Sequence, residues 1–379
     1  MFADTFFPTT DGVVTSMVSV ARQLQAKGHR VRFFVPRPKD PKKSEHLWQD
    51  LDVVFVRSFG LLTYSDYRVA PHTSLSAKKR FAEFRPDVVH VHTPFSLGWM
   101  GMRWAKRKKI PVVATYHTLL PEFMMYLPLP IFNRTKFAKR LTWRYTNMFY
   151  GKADVLTTPT EQMADELKRE GLSATALSNP IRYSLFNRFE KEKKPAKPFR
   201  LVFFGRMSFE KNIDVVVQAT AGLIGKGHAV ELILIGEGPA VESLKKLAQA
   251  LKISSHVQFV GVLRDEALAK KVASCHLTVT ASTMETQGLT ILEAMSSGLP
   301  CVGCDFLGIP NAVKDGYNGF LFPPGDALAC AEKIEVLLKS KSMYEQFSKH
   351  AVKTAEALSE EKIVSKYLSI YESLVTKKK

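Results

Sequence analysis

The chain has 379 residues, of which 45% are hydrophobic and 24% charged, a balance typical of globular proteins. This length predicts two domains of ordinary size, and no run of about 18 apolar residues is present that could cross a membrane. The N-terminus lacks a basic stretch followed by an apolar core, so we expect no signal peptide.

The formal charge of +18 is unevenly placed, because residues 1–195 hold 32 Lys and Arg against 17 Asp and Glu. Such a basic excess predicts an anionic partner, either nucleic acid or acidic lipid. No helix-turn-helix or zinc pattern is present, so we expect no nucleic acid.

The four cysteines lie scattered in the second half, at Cys275, Cys301, Cys304 and Cys330. This pattern favours a reducing compartment over a disulfide framework. Cys301 and Cys304 have metal-like spacing but no second pair, so we predict structural cysteines and no metal site.

The first half begins with a short predicted strand within residues 2–8, a turn at Gly12 and a helix over 13–27. Strand–glycine turn–helix units of this kind receive phosphates or reacting groups. Further strands are predicted at 31–35, 53–56, 88–92, 112–117 and 155–158, with helices at 75–84, 97–108 and 134–150. This alternation predicts an α/β protein with a parallel, doubly wound sheet, whose ligands lie at the carboxyl ends of its strands.

Histidines lie at two of these predicted strand ends. His90 and His92 share one strand face and could ligate a metal, but nothing nearby completes such a site. We therefore favour ordinary polar residues. His117 closes the next strand, where a lone histidine is more often structural.

The predicted helix 134–150 combines an apolar stripe with basic residues. The stripe contains Phe137, Leu141, Tyr145, Met148 and Phe149, and the basic positions are Lys136, Lys139, Arg140 and Arg144, with Trp143 nearby. The preceding loop, 123–130, is unusually apolar. Basic residues flanking aromatic ones suit a membrane surface, so we predict reversible docking on anionic lipid. The alternative is a helix that packs its apolar stripe on the sheet and leaves a basic face in water.

A charged, proline-containing run separates the two halves. We predict domains at 1–185 and 199–358, with a linker at about 186–198. A strand at 200–204 then leads into Arg206 and Lys211, just before a helix that starts at Ile213. Two cations at that position suit a diphosphate that gains charge as it leaves.

The stretch 282–295 is predicted to form a loop carrying Glu285, followed by a helix that starts near Gln287 and Gly288. The first helical amides, near Thr286–Leu289, suit a phosphate. Glu293 leans back toward them from about 7 Å along the helix axis, roughly the step from a diphosphate to a ribose. The pattern therefore predicts one carboxylate for a sugar and another for a ribose.

Two motifs carry a family resemblance: Gly205-Arg206-x3-Glu210-Lys211-Asn212, and Glu285-x7-Glu293 about 80 residues later. Together they resemble retaining glycosyltransferases of family 4, and the form ETQGLT is most similar to the branch that glucosylates diacylglycerol in glycolipid synthesis. The resemblance covers nearly the whole chain. It implies two Rossmann-like doubly wound domains facing across a cleft, the glycosyltransferase B-type fold, with a C-terminal helix (359–376) packing back on the first domain.

The resemblance also implies an activity. We expect a retaining, metal-independent hexosyltransferase with no cofactor, which moves glucose from UDP-glucose to a lipid, diacylglycerol, at the inner face of the membrane. The transition state should resemble an oxocarbenium ion with a departing nucleoside diphosphate. This implies a cytoplasmic, peripheral enzyme whose partners are a nucleotide sugar, a lipid acceptor and an anionic membrane. The sequence indicates no particular oligomeric state.

The implied site residues follow from the same resemblance. His117 contacts the donor sugar near its reacting carbon, Glu285 holds sugar hydroxyls and Glu293 holds the ribose. The Gly12 turn faces the diphosphate and the acceptor, and the edge at Leu263 and Arg264 holds the nucleobase. A diphosphate oxygen accepts the acceptor's proton, with Asp11 as the alternative base.

Two other readings of the chain remain open at this point. One is a transferase of the same fold that acts on phosphatidylinositol or on a soluble sugar. The other is a non-catalytic lipid-binding protein that kept the fold. The presence of every charged candidate residue argues against the second.

Overall fold

The structure is a computed structural model that describes residues 1–9, 11–60, 68–70, 74–117 and 135–377. The chain divides into two compact units, the first comprising Met1–Pro180 and Glu361–Lys379 and the second Ile181–Glu360. The apolar loop at 123–130, and Arg134 at the predicted start of the basic helix, lie outside the described residues.

The first unit is built on a mainly parallel sheet. Its strands are β1 (Arg32–Pro36), β2 (Asp52–Val56), β3 (Phe59–Gly60), β4 (Arg68–Val69), β5 (Val89–Val91), β6 (Val112–Thr115), β7 (Val155–Thr158) and β8 (Thr175–Ala176). β1 pairs with β2, and β5 to β8 pair in sequence order, all in parallel, whereas β3 and β4 form a separate antiparallel pair. Phe2 forms parallel bridges to Phe34 of β1 and Val91 of β5, and so joins the two groups of strands.

The predicted first strand is thus shorter than residues 2–8, since Phe2 alone bridges its neighbours there. Its backbone N–H donates to the His90 carbonyl and its own carbonyl accepts from the His92 N–H, both at 2.9 Å. The ring of Phe2 stacks on Phe34 at 4.6 Å. Burial of this aromatic pair holds the short segment in the centre of the sheet.

The helices of the first unit are α1 (Gly12–Ala26), α2 (Pro41–Ser44), α3 (Leu75–Phe84), α4 (Ser96–Arg107), α5 (Lys136–Tyr150) and α6 (Glu161–Arg169). Asp11, Ser74, Thr135 and Thr160 precede α1, α3, α5 and α6, and each accepts a hydrogen bond from an amide of the first helical turn. Such N-cap residues satisfy amides that have no partner within the helix, which explains where these helices begin.

The second unit has a six-stranded parallel sheet. Its strands are β9 (Phe199–Phe204), β10 (Val230–Ile235), β11 (Val257–Gly261), β12 (Leu277–Thr280), β13 (Cys301–Cys304) and β14 (Gly319–Phe322). The spatial order is β11-β10-β9-β12-β13-β14. The chain thus adds β10 and β11 on one side of β9, and then β12, β13 and β14 on the other side. The order reverses between β9 and β12, which is where ligands bind in doubly wound sheets.

Helices connect the strands of the second unit. They are α7 (Tyr183–Asn187), α8 (Ile213–Gly225), α9 (Val241–Ala250), α10 (Asp265–Ala273), α11 (Leu289–Ser296), α12 (Ile309–Ala312), α13 (Ala327–Lys339) and α14 (Lys341–Glu356). Leu201 and Phe203 of β9 pack into one buried cluster, and Val202 and Phe204 into another. The continuous apolar run of β9 therefore reflects a parallel strand covered on both faces.

The segment expected to be a linker begins in ordered structure. Residues 183–187 form α7, and Phe186 is fully buried beside Val202 and Phe204 of β9. The ring of Phe186 stacks on Phe204 with 6.0 Å between centroids. The sequence did not predict this anchor, because one aromatic residue in a short charged segment carries no periodic signal.

The last helix, α15 (Glu360–Thr376), brings the end of the chain into the first unit. Tyr367 is buried, and the Tyr371 hydroxyl lies 2.7 Å from Nδ1 of His90. The other ring nitrogen of His90 lies 2.7 Å from the Thr115 hydroxyl, so both nitrogens of this buried imidazole are satisfied.

Asp4 is a buried carboxylate that joins the first strand to α4. Its oxygens accept from the hydroxyls of Thr93 and Ser96 and from the backbone amides of Leu97 and Gly98, at 2.6–3.3 Å. Three of these donors belong to the first turn of α4, whose own N-cap residue, Phe95, makes no side-chain cap. Asp4 therefore caps α4 from a distant part of the chain.

Replacing Asp4 by alanine should destabilise the first unit. The change leaves several buried donors without an acceptor, so we expect the free energy of unfolding to fall by about 2–4 kcal/mol, measured by urea denaturation. Asp50→Ala is the matched control, because Asp50 forms an exposed ion pair with Arg22 and should cost less than about 1 kcal/mol. Equal losses in the two variants would contradict the capping role of Asp4.

Candidate active site

Two loops leave the sheet side by side at the point where its strand order reverses. β9 and β12 are parallel neighbours, with Leu201 opposite Leu277 and Val202 opposite Thr278. The Lys211 loop (205–212) follows β9, and the Glu285 loop (281–288) follows β12. The carboxyl ends of adjacent parallel strands thus bring two segments together that lie about 75 residues apart in sequence.

Asn212 ties the two loops to each other. Its side-chain amide donates to the Ala281 carbonyl and to the Thr283 hydroxyl, both at 3.2 Å. In return, the Thr283 N–H donates to the Glu210 carbonyl at 3.1 Å. Asn212 has a left-handed backbone, with φ of 45°, a conformation that asparagine tolerates better than most residues. The asparagine that ends the Lys211 loop is therefore a structural clamp.

Lys211 and Glu285 are in direct contact across this clamp. Nζ of Lys211 lies 2.5 Å from Oε1 of Glu285, and each side chain keeps about a fifth of its surface exposed. A partly buried ion pair of this kind fixes both side chains while leaving them within reach of a ligand. The structure thus brings together two residues that the sequence analysis assigned to one site.

The start of α11 lies beside the same loops. Gly288 precedes the helix with φ of 75°, a left-handed conformation that glycine adopts without strain. A Cβ built on Gly205 would lie 3.9 Å from the Thr290 side chain, so the end of β9 lies next to the first turn of α11. Thr286 and Leu289 are half-buried here, and Gln287 is buried.

Gly308 braces the Glu285 loop from behind. Its N–H donates to the Glu285 carbonyl at 2.8 Å. A Cβ at this position would lie 2.3 Å from the backbone of Thr286. Because no side chain fits there, the position of the loop depends on a glycine that the sequence analysis did not single out.

Glu293 lies further along α11 and is nearly buried. Its two oxygens accept from Nε and Nη2 of Arg182, at 2.7 and 3.1 Å. Burial opposes the charge of Arg182, but attraction to Glu293, with smaller contributions from Asp265 and Glu360, outweighs it and raises the pKa of the guanidinium above its usual value. Sequence reasoning missed Arg182, since the two partners are 111 residues apart and no local motif links them.

The other candidates of the second unit lie on neighbouring strand ends. Arg206 lies two residues after β9 and is exposed. Leu263 and Arg264 follow β11, which is separated from β9 by β10 alone. Leu263 is half-buried, and Arg264 is exposed in front of α10. Except for Glu293, the candidate residues of the second unit thus lie just after the carboxyl ends of strands or at the start of the helix that follows such an end.

The first unit holds His117 in a cluster of histidines. His117 follows β6 and is buried, with Nε2 3.1 Å from Nδ1 of His92. The ring of His92 lies 3.9 Å from that of His90. Burial lowers the pKa of His117 to about 3, although a contact with Asn179 acts in the opposite direction. His117 is therefore uncharged at neutral pH and can act only as a neutral hydrogen-bonding group.

Gly12 opens α1 in the first unit, and Asp11 caps it. One oxygen of Asp11 accepts from the Val14 amide at 2.8 Å and the other from the Thr5 hydroxyl at 3.0 Å. These bonds hold the carboxylate at the helix start.

The surface of α5 corrects one expectation. Phe137, Leu141 and Met148 are exposed by 49–65%. The four basic residues predicted beside them, Lys136, Lys139, Arg140 and Arg144, are exposed as well. Trp143, which we expected at the same surface, is instead buried at 4%, as is Phe149 at 0%. The helix packs through a different face that also contains Ala138, Thr142 and Thr146.

No helix in the described part of the chain is both long and apolar enough to cross a bilayer. Across the same ranges, no three His, Cys, Asp or Glu side chains are grouped so as to hold a metal ion.

Two family models match the chain in succession. The model described as Glycosyltransferase Family 4 matches residues 10–182, and the model described as Glycosyl transferases group 1 matches residues 186–354. Together they span both units.

Similar curated proteins include enzymes named for glycolipid synthesis. The alpha-monoglucosyldiacylglycerol synthase of Streptococcus pneumoniae is 29% identical, over 91% of this chain and 79% of its own. The enzyme of the same name from Acholeplasma laidlawii is 27% identical, over 86% and 85%. The sulfoquinovosyl transferase SQD2 of Arabidopsis thaliana is 29% identical, over 80% of this chain and 60% of its own.

Solved structures of glycosyltransferases share the fold. One from Rickettsia africae superposes with a TM-score of 0.77 at 16% identity, covering 98% of this chain and 97% of that one. Anabaena Alr3699/HepE in complex with UDP-glucose gives 0.75 at 19% identity, covering 98% and 100%. The expectation of two Rossmann-like domains in the glycosyltransferase B-type fold is thereby confirmed. With both family models matched in order along the chain, this protein belongs to the family 4 glycosyltransferases.

Proposed function

We propose that the protein is a retaining hexosyltransferase that moves glucose from UDP-glucose to a membrane lipid, diacylglycerol. The observation that carries the proposal is the contact between Lys211 and Glu285 beside the start of α11. A cation, a carboxylate and the first amides of a helix lie around this contact. These are the groups needed to bind a sugar joined to a diphosphate.

The leaving group gains negative charge as the bond between the sugar C1 and the diphosphate oxygen breaks. Arg206 and Lys211 lie at the end of β9, and the first amides of α11 lie beside them. In this proposal the three donors stabilise the departing nucleoside diphosphate, a task that a preformed electrostatic site performs without reorganisation. No metal ion is required for this role.

The two glutamates hold the two ends of the donor. Glu285 accepts hydrogen bonds from sugar hydroxyls while Lys211 keeps its carboxylate in place. Glu293 accepts from the ribose, and Leu263 and Arg264 border the nucleobase. The 1.5 Å rise per residue of a helix places Glu293 about 7 Å from Gly288, which matches the spacing of these groups.

His117 supplies a neutral contact near the reacting carbon. The acceptor hydroxyl forms the new bond to C1 on the face that the diphosphate leaves, and its proton passes to a diphosphate oxygen. This route gives retention without a protein base. Asp11 is the alternative base, although both of its oxygens already accept hydrogen bonds.

Names of relatives support the choice of donor and acceptor. Two relatives are named monoglucosyldiacylglycerol synthases, and Alr3699/HepE was solved with UDP-glucose. A further relative, from Mycobacterium leprae, is named phosphatidyl-myo-inositol mannosyltransferase and is 24% identical over 98% of this chain. This name supports phosphatidylinositol as the second candidate acceptor for a transferase of this fold.

We also propose that the exposed face of α5 docks on anionic membrane at the inner leaflet. Phe137, Leu141 and Met148 present apolar area to the outside, flanked by four exposed basic residues. A helix that only covered the sheet would turn those apolar side chains inward, and α5 does not. Apolar residues rimmed by Lys and Arg suit the boundary between headgroups and acyl chains.

The function is tested by assaying UDP-glucose, UDP-galactose and GDP-mannose with vesicles containing diacylglycerol or phosphatidylinositol. We expect glucosyl transfer from UDP-glucose to diacylglycerol, with the α-anomer identified by NMR. Transfer to phosphatidylinositol would replace the proposed acceptor. Binding of lipid without turnover of any donor, including hydrolysis, would indicate a non-catalytic protein and overturn the proposal.

Loss of either cation of the Lys211 loop should slow the chemical step. We expect Lys211→Ala and Arg206→Ala to raise the barrier for kcat by about 2–4 kcal/mol, because each removes a donor from the leaving diphosphate. Steady-state kinetics with UDP-glucose measures this. Lys226→Ala is the control, because Lys226 pairs with Glu335 on the surface. Near-native turnover in both loop variants would rule out the assigned roles.

Membrane docking should depend on the basic face of α5. Each basic residue near an anionic surface contributes about 1 kcal/mol. Arg140→Ser combined with Arg144→Ser should therefore weaken sedimentation with phosphatidylglycerol vesicles about 30-fold at 0.1 M salt, and added salt should weaken it in the wild type.

The matched control is Lys78→Ser with Arg80→Ser on α3, where both residues are exposed in the same unit. We expect this pair to change vesicle binding much less. If the two double variants lose binding equally, net charge rather than the α5 face governs docking.

A further inference from the structure

Arg182 holds Glu293 through a two-point contact. Nε and Nη2 of the guanidinium donate to separate oxygens of the carboxylate, at 2.7 and 3.1 Å. The Glu293 side chain is 4% exposed and that of Arg182 is 29% exposed. A bidentate contact of this kind fixes the plane of the carboxylate as well as its position, which a lysine could not do.

Arg182 is itself held from a second side. Its guanidinium carbon lies 5.3 Å from the ring centre of Phe186. Phe186 is fully buried and stacks on Phe204, the last residue of β9. The arginine is thus anchored to the strand that leads into the Lys211 loop, so its orientation is set by the core of the second unit.

A second carboxylate makes Arg182 necessary at this place. Glu360 accepts backbone hydrogen bonds from Tyr183 and Ser184, and burial raises its pKa, with repulsion from Glu293 adding to the rise. Arg182 is attracted to Glu293, Asp265 and Glu360. Without its positive charge, Glu293 would lie near acidic neighbours in a buried setting with no cation to offset them.

The remaining hydrogen-bonding capacity of Glu293 matches a ribose. An ionised carboxylate offers about four lone-pair positions, and the guanidinium occupies two of them. The two that remain can accept from two adjacent hydroxyls, such as O2′ and O3′ of a nucleotide. An ionised carboxylate cannot donate, so it favours groups that carry an O–H.

We infer that Arg182 is a positioning residue for the donor, which orients Glu293 so that the site selects ribonucleotides over deoxyribonucleotides. The inference rests on the proposed ribose-binding role of Glu293. It extends that role to a residue outside both sequence motifs, one that follows Pro180 and Ile181 at the start of the second unit.

The test compares binding of UDP with binding of 2′,3′-dideoxy-UDP by calorimetry. We expect the wild type to prefer UDP by about 10- to 100-fold, because the analogue leaves the carboxylate without its hydroxyl partners. Glu293→Gln should reduce that preference to a few-fold. Arg182→Gln should do the same, although it leaves Glu293 in place, whereas a residue with a merely structural role would weaken both ligands equally.

Arg188→Gln is the matched control. Arg188 lies in the same segment and pairs with Glu266 at the surface, where both side chains are more than half exposed. We expect the preference for UDP to stay at the wild-type value. Arg182→Lys keeps the charge without the two-point contact and should give an intermediate preference. It also serves as the variant to measure if Arg182→Gln does not fold.

The outcomes separate the inference from the proposal on which it rests. If Glu293→Gln keeps the full preference, Glu293 does not bind the ribose and its proposed role fails. If Glu293→Gln loses the preference for UDP but Arg182→Gln keeps that preference, the inference about Arg182 is overturned. The same conclusion holds for Arg182→Lys if that variant has to be measured in place of Arg182→Gln. A wild type that binds both ligands equally overturns the selection of ribose.

Discussion

The candidate site depends on the pairing of β9 with β12. Two residue pairs, Leu201 with Leu277 and Val202 with Thr278, are enough to set the register of these strands. That register determines where the two following loops emerge, and Asn212 then ties them together. A slip by one residue would turn every side chain of β12 to the opposite face of the sheet and separate Lys211 from Glu285.

Most of the fold could be predicted from the sequence because the signals are local and repeated. The runs at 155–158 and 75–84 became β7 and α3 with unchanged bounds. The first strand was expected to be longer. After Phe2 and Ala3, the side chain of Asp4 lies at the start of α4 and accepts hydrogen bonds from its first amides. Only the structure shows that Asp4 caps a helix so distant in sequence.

The residues of the candidate site also fall into two groups, those that the sequence could predict and those that it could not. Lys211 and Glu285 could be placed together because each follows a strand end and belongs to a spaced motif. Arg182 and Gly308 could not, because their partners lie far away in sequence or are backbone atoms. Trp143 was assigned to the wrong face of α5, since a helical pattern with two apolar stripes does not reveal which stripe meets the sheet.

The hydrogen bond between Tyr371 and His90 joins residues 281 positions apart. During translation, the first unit emerges long before α15 exists, so its buried imidazole waits for a hydroxyl that is synthesised only after the second unit. Closing so long a loop costs chain entropy and delays completion of the fold. The nascent chain therefore carries an unfinished polar interior while the second unit is being synthesised, a stage at which a chaperone would have the most to protect.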